Sequence, residues 1–173
     1  MFSINPITDE DLKSDFSCGV EPLDRFFFDH ALPNHQRHFG NTFVLRQDEG
    51  APKVVGYYTL TMATVERDAA LPRVLRQNAP KLHGAALLGR LAVDKRAQGQ
   101  MRGKRMLLDA FEKCLHASEL LGCSGIFTEA KDESASQFYK KHGFKPLDGA
   151  TSWPLPMFIH IKTVAQLVRA VPK

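Results

Sequence analysis

Between Lys95 and Arg105 the chain reads "KRAQGQMRGKR": five cations, two glycines and no acid. The apolar run "ALLGRLAV" ends just before it at Asp94, and an apolar-periodic run starts near Gly103. A strand, a basic turn and a helix start in that order suit an anion. The first N–H groups of a helix have no intrahelical acceptor, and the helix dipole favours negative charge there. Glycine lets backbone approach a ligand closely, and Arg102, Lys104 and Arg105 add a positive field. The spacing excludes two familiar phosphate cradles. A Walker A loop has four residues between its glycines and then Lys-Ser/Thr, whereas Gly99 and Gly103 are separated by three and Arg105 stands where the hydroxyl would meet magnesium. No G-x-G-x-x-G fingerprint follows a first strand. The remaining reading is a pyrophosphate held by backbone amides from Gln98 to Lys104, with no motif for metal-assisted phosphoryl transfer.

Other reactive side chains form no second constellation. Cys18, Cys114 and Cys123 are odd in number and include no C-x-x-C pair, so buried thiols are expected rather than disulfides or zinc. His35 and His38 lack a further ligand, which argues against a metal site. His83, His116 and His142 read as surface groups or satisfied partners. By periodicity alone, Tyr139 reads as a core tyrosine at a helix end.

The elements that must position the loop follow from pattern and length. A chain of 173 residues, 43% hydrophobic, is expected to form a single domain over residues 1–173. No apolar run approaches the ~20 residues of a membrane-spanning helix, and the acidic start has no leader pattern, so a cytoplasmic protein is expected. "FSINP" can begin a first strand, and "PLDRFFFDHAL" places Leu23, Phe26, Phe27 and His30 at helical spacing behind Pro22. "NTFVLRQ" and "KVVGYYTLTMATV" flank the turn-like "DEGAP" and read as an antiparallel hairpin. A Pro-bounded segment near "LPRVLRQNAP" follows. "ALLGRLAV" then reads as a central strand buried on both faces. The next helix buries Leu107, Ala110, Phe111, Cys114 and Leu115 and ends by Gly122. "SGIFTEA" is a strand, "DESASQFYKKHGF" a short helix stopped at Gly143, and "MFIHI" a last strand. The fold class is therefore α/β: a mixed central sheet in which antiparallel N-terminal strands precede a strand-helix-strand unit.

At these residues the chain resembles the GNAT superfamily of N-acetyltransferases. "LGRLAVDKRAQGQMRGKRMLL" is similar to its acetyl-CoA segment, in which a strand leads into a [QR]-x-x-G-x-[GA] loop, here Gln98-x-x-Met101-x-Gly103. "FSCGVEPLDRFF", "VVGYYTLTMATV", "LLGRLAVD" and "DESASQFYKKHGF" occur in an order similar to acetyltransferase toxins of bacterial type II toxin–antitoxin modules. The resemblance spans about Phe16 to Ile161. It implies a GNAT fold, acetyl-CoA as cosubstrate, a ribbon-helix-helix antitoxin, a homodimer, and acetylation of the α-amine of aminoacyl-tRNA. It further implies that Leu91, Ala92, Val93, Gln98, Gly99, Gln100, Met101, Arg102, Gly103, Lys104, Asp132, Ala135 and Phe138 bind the cofactor and that Tyr139 is the catalytic acid. Met101 departs from the pattern, because it occupies the first motif glycine's place with a Cβ that disfavours φ > 0.

That chemistry needs few side chains. The pantetheine amide can pair with strand backbone near Leu91 and Val93, and a phenol with a reference pKa near ~10 can protonate a departing thiolate. An α-amine titrates near ~8 in peptides, so a dedicated base is less needed than for lysine at ~10.4. The charge of +4 is polarised. Residues 1–30 hold seven acids against two bases, and residues 139–173 hold six bases against one acid. Arg90, Arg96, Lys140, Lys141 and Lys145 are accordingly expected to hold tRNA. Two other classes fit less well: a GNAT enzyme acting on a small-molecule or protein amine, and a non-enzymatic nucleic-acid-binding module.

Overall fold

The computed structural model describes residues 1–49, 53–66, 76 and 78–171. Its strands are β1 (Phe2–Pro6), β2 (Asn41–Gln47), β3 (Val54–Glu66), β4 (Leu82–Val93), β5 (Gly125–Ala130), β6 (Lys145–Pro146) and β7 (Leu155–His160). The α-helices are α1 (Glu21–Phe26), α2 (Leu32–Gln36), α3 (Arg102–Leu120), α4 (Glu133–Lys141) and α5 (Ile161–Arg169). The strands form one mixed sheet in the order β1-β2-β3-β4-β5-β7-β6. Two compact units divide the chain: Met1–Thr61 with Leu88–Ala110, and Met62–Leu87 with Phe111–Lys173.

In the first unit β1 and β2 are antiparallel, with Phe2 opposite Gln47 and Pro6 opposite Phe43. β2 and β3 are antiparallel too, as the hairpin pattern predicts, with an irregularity between Leu45 and Arg46. Gly50, Ala51 and Pro52 of the expected "DEGAP" turn lie outside the described residues, as does most of "LPRVLRQNAP". α1 runs through a π-helical turn, Phe27–Ala31, into α2. Pro33 explains the widening: it has no N–H for the carbonyl four residues back, and its ring would clash with that carbonyl in a regular α-turn. The core is aromatic. Phe16 packs on Phe27 at 4.9 Å between ring centroids, Phe27 on Tyr57 at 5.1 Å, and the Tyr57 hydroxyl donates to the Leu23 carbonyl at 2.8 Å.

In the second unit β5 and β7 are antiparallel, Gly125 facing His160 and Ala130 facing Leu155. Gly125 is required there, because an added Cβ would lie 2.2 Å from the Ile159 carbonyl oxygen. Two elements escape the sequence pattern. β6 is two residues long, with Lys145 opposite Phe158. α5 starts directly after β7, so "MFIHI" is not the end of regular structure; His160 caps the helix by accepting Lys162 N–H at 3.1 Å. A histidine cap with no intervening loop hides that boundary. All three cysteines are free and buried, as expected.

The expectation for β4 needs correction. It is the fourth of seven strands in the order, yet it is not buried on both faces along its length. Gly89 is exposed and Arg90, Leu91 and Val93 are only half-buried. Apolar composition registers the strand's central place, but not that one stretch stays uncovered.

Candidate active site

The end of β4 is stapled before the basic turn begins. Asp94 is fully buried and accepts the Ser17 amide at 3.1 Å, the Arg96 amide at 2.9 Å and the Arg96 Nε at 2.8 Å. Burial alone would raise the Asp94 carboxyl, but Arg96 and the two amides outweigh it and hold the group below the usual carboxylate range. Arg96 also donates to Asp15 at 2.7 Å, so it is not one of the loop's free cations. Lys95 N–H reaches the Ser17 carbonyl at 2.9 Å, and Gln98 Nε2 donates to the carbonyls of Cys18 and Val93, both at 3.1 Å. Asp24 holds the other side of that bracket, accepting Ser17 Oγ and the Cys18 amide, each at 2.8 Å. The "FSCGVEPLD" segment thus fixes the turn's entry. Burial first, then Asp24, pushes the Cys18 thiol up to about 11, which keeps it neutral.

Past Gln98 the backbone turns twice through left-handed conformations, at Gly99 (φ +76°) and Met101 (φ +59°). α3 follows at once, and Arg105 N–H closes onto the Met101 carbonyl at 3.1 Å. The amides of Arg102, Gly103 and Lys104 therefore occupy the first helical turn, where no intrahelical acceptor exists. Gln98, Gly99, Gln100, Met101 and Lys104 are exposed, Arg102 and Gly103 half-buried. Arg102 Nε is buried and has no acceptor among the described residues. This geometry fits a polyanion. On β4, Leu91 and Val93 are half-buried and Ala92 is buried. Gly56, which sequence reasoning missed, lets β3 approach: its Cβ would sit 2.6 Å from the Ala92 carbonyl oxygen and 2.8 Å from the Met106 methyl.

In the second unit α4 is capped at both ends. Asp132 accepts the Ala135 amide at 2.8 Å, which gives both residues a role in starting the helix. At the other end Gly143 (φ +94°) donates to the Lys140 carbonyl and Phe144 N–H to the Tyr139 carbonyl, both at 3.1 Å. This is a Schellman stop, and its usual apolar contact is the Tyr139–Phe144 pair at 5.2 Å. Phe138 stands edge-on to Tyr139 at 5.3 Å and packs on His142 at 4.6 Å. Tyr139 is buried, and its hydroxyl is hydrogen-bonded by Thr128, itself 1% exposed. Burial pushes the phenol above its ordinary value and Thr128 pulls it partly back, so the hydroxyl carries its proton at neutral pH. Ser136, one turn earlier, is fully buried with a hydroxyl that has no partner among the described residues. Sequence reasoning missed Thr128 and Ser136, since neither lies in a catalytic motif.

The cations expected to hold tRNA separate into two kinds. Arg90 lies over the Phe26 ring, 3.6 Å from its centroid, and Arg96 is paired with Asp94 and Asp15. Lys140, Lys141 and Lys145 are exposed. His35 Nδ1 accepts the Thr42 amide at 3.2 Å and His142 Nδ1 contacts the Phe138 carbonyl at 2.7 Å, both local structural contacts.

Residues 38–146 match the acetyltransferase (GNAT) domain family. The chain is 34% identical over 164 residues to the tRNA-acetylating toxin of Mycobacterium tuberculosis (strain ATCC 25618 / H37Rv), covering 94% of this chain and 93% of that protein. It is similar to the structure of AtaT complexed with acetyl-methionyl-tRNAfMet, with a TM-score of 0.85, 32% identity, and coverage of 96% of this chain and 99% of that one. A Tyr-to-Phe mutant of AtaT bound to the C-terminus of the antitoxin AtaR and acetyl-CoA gives a TM-score of 0.77 at 30% identity, covering 96% and 97%. The family match takes in both the staple at Asp94 with its left-handed turn and the Schellman-stopped helix carrying Tyr139, and the protein accordingly belongs to the GNAT acetyltransferases.

Proposed function

We propose that this protein is a toxin that transfers acetyl from acetyl-CoA to the α-amine of aminoacyl-tRNA, blocking translation until a ribbon-helix-helix antitoxin neutralises it. The observation that carries the chemistry is Tyr139, a buried phenol kept protonated beside Thr128. The whole-length likeness to a tRNA-bound toxin supports the acceptor.

The first-turn amides of α3, with Arg102 and Lys104, would hold the CoA phosphates, and the half-buried backbone at Leu91 and Val93 would align the pantetheine arm. Asp132, Ala135 and Phe138 complete the proposed cofactor contacts. The cosubstrate supplies a thioester; the amine's lone pair forms the new C–N bond as the C–S bond breaks. Tyr139 gives its proton to the departing sulfur, and the hydrogen bond from Thr128 stabilises the oxygen left behind. The substrate amine loses its own proton to solvent.

The protein acts as one domain over residues 1–173, a reading supported by β3, β4 and α3, each of which begins in one unit and ends in the other. It works in the cytoplasm, where charged tRNA is found, and as a homodimer. Among the described residues no helix is long and apolar enough to cross a membrane.

The test is single-turnover transfer from acetyl-CoA to a panel of aminoacyl-tRNAs, free amino-acid amides and protein amines, with Tyr139→Phe beside the native protein. The expected result is acetylated aminoacyl-tRNA and a ~10²- to 10⁴-fold slower Phe variant at nearly constant acetyl-CoA affinity. Acetylation confined to free amines or proteins would replace the tRNA reading. A fully active Phe variant would remove Tyr139 from the mechanism.

A further inference from the structure

The two arginines flanking Lys104 at the start of α3 are both tied to the first strand. The Arg102 guanidinium carbon lies 3.9 Å from the centre of the Phe2 ring, and that of Arg105 lies 5.7 Å from it. Arg105 Nη2 also donates to the Phe2 carbonyl at 3.0 Å. Arg102 Nη2 reaches Gln100 Oε1 at 3.3 Å, while its Nε is buried and without an acceptor. Among the described residues neither arginine has a carboxylate partner. Phe2 itself is half-buried and set in the β1–β2 ladder opposite Gln47, so its ring is a fixed platform.

A guanidinium free in water samples many rotamers and loses them on binding an anion. One stacked on an aromatic face has its plane fixed beforehand, and stacking leaves its in-plane N–H donors free. Two cations held beside one helix start also repel each other, a cost that an anion between them relieves. The arrangement holds donors ready rather than neutralising them.

We propose that Phe2 is a positioning residue for the phosphate end of CoA: its ring and carbonyl hold Arg102 and Arg105 at the start of α3, so that their remaining guanidinium N–H groups are oriented to donate to phosphate oxygens. The inference rests on the reading of the Gln98–Lys104 turn as the cofactor loop.

Calorimetry on the full chain with CoA, dephospho-CoA and pantetheine tests it. Phe2→Ala should weaken CoA by about 2- to 5-fold and leave pantetheine, which has no phosphate, unchanged. Phe2→Tyr should restore CoA affinity, whereas Phe2→Leu, which keeps apolar volume but no π face, should behave like Ala. Combined with Arg102→Ala and Arg105→Ala together, Phe2→Ala should add no further loss, because it acts through those two arginines. A loss that disappears with dephospho-CoA assigns the contact to the 3′-phosphate, and one that persists assigns it to the pyrophosphate; both support the proposal. Native CoA affinity in Phe2→Ala or Phe2→Leu, or a loss that Phe2→Ala still adds when both arginines are alanine, would overturn it. Gly103→Pro separates this failure from that of the loop itself: weak CoA binding there with a normal Phe2→Ala refutes only Phe2, while normal binding in Gly103→Pro refutes the loop.

Discussion

Met101 is a side chain in a place shaped for glycine. Its φ of +59° lies in the left-handed region, where a Cβ crowds the following carbonyl, and its side chain is 67% exposed, so little packing offsets the strain. Glycine there would relieve the strain but would give the unfolded chain more freedom. Met101→Gly is expected to gain up to about 1 kcal/mol in denaturant unfolding and to keep or improve acetyl-CoA affinity. Met101→Val should lose at least as much, since a β-branched residue tolerates positive φ poorly. A large loss of affinity in Met101→Gly would show instead that the thioether packs on the cofactor. Tyr139 illustrates the opposite case, a residue whose type suits its surroundings: burial keeps the phenol protonated, and Thr128 tempers the cost of giving the proton up.

At the scale of elements, the junction between β4 and α3 depends on Asp94. One buried carboxylate joins the "FSCG" segment, the turn and Arg96, and its pKa is depressed in the fold. A group with a depressed folded pKa contributes stability that is fully present above the unfolded value near ~3.9 and is lost as pH falls through the lower folded value. The junction should therefore hold at neutral pH and weaken only in acid, below the ordinary carboxylate range. Asp94→Asn removes that dependence. Thermal unfolding across pH should show the variant destabilised by about 1–3 kcal/mol at pH 7, with the gap narrowing as the native carboxylate is protonated. Acetyl-CoA affinity should fall with it, because the turn loses its anchor. The Schellman stop at Gly143 does the same service for α4, fixing Tyr139 through backbone bonds at its carbonyl and a ring contact to Phe144.

For the whole molecule, charge is distributed so that residues 139–173 are basic and residues 1–30 acidic. The fold removes Arg96 from the pool of cations offered to a polyanion and lays Arg90 on Phe26. Lys140, Lys141 and Lys145 remain exposed. Reversal of all three to Glu is expected to raise the KM for charged tRNA and to flatten its dependence on salt, with CoA binding intact; the log–log slope should fall by roughly 0.7 to 0.9 for each phosphate that is no longer neutralised. Steady-state rates at several salt concentrations measure both. An unchanged tRNA KM would place the RNA elsewhere.

Periodicity and punctuation made much of this legible in the sequence. The alternation in "NTFVLRQ" and "KVVGYYTLTMATV", the apolar stripe through Leu107, Ala110, Phe111 and Cys114, and the glycines at 99 and 143 are local signals. Local backbone energetics suffice to turn them into a hairpin, a helix, a left-handed turn and a helix stop. The order of four segments was enough to identify the family. Tertiary structure decided what depends on residues far apart in the chain. Arg96 looks like a free cation until Asp15 arrives from 81 positions away, and Phe2 looks like an ordinary strand residue until Arg105 meets its carbonyl from 103 positions away. Neither pairing leaves a trace in local composition. A side chain's charge is fixed by its type, but whether that charge is spent on a carboxylate, stacked on a ring or left facing solvent is settled only when the chain folds back on itself.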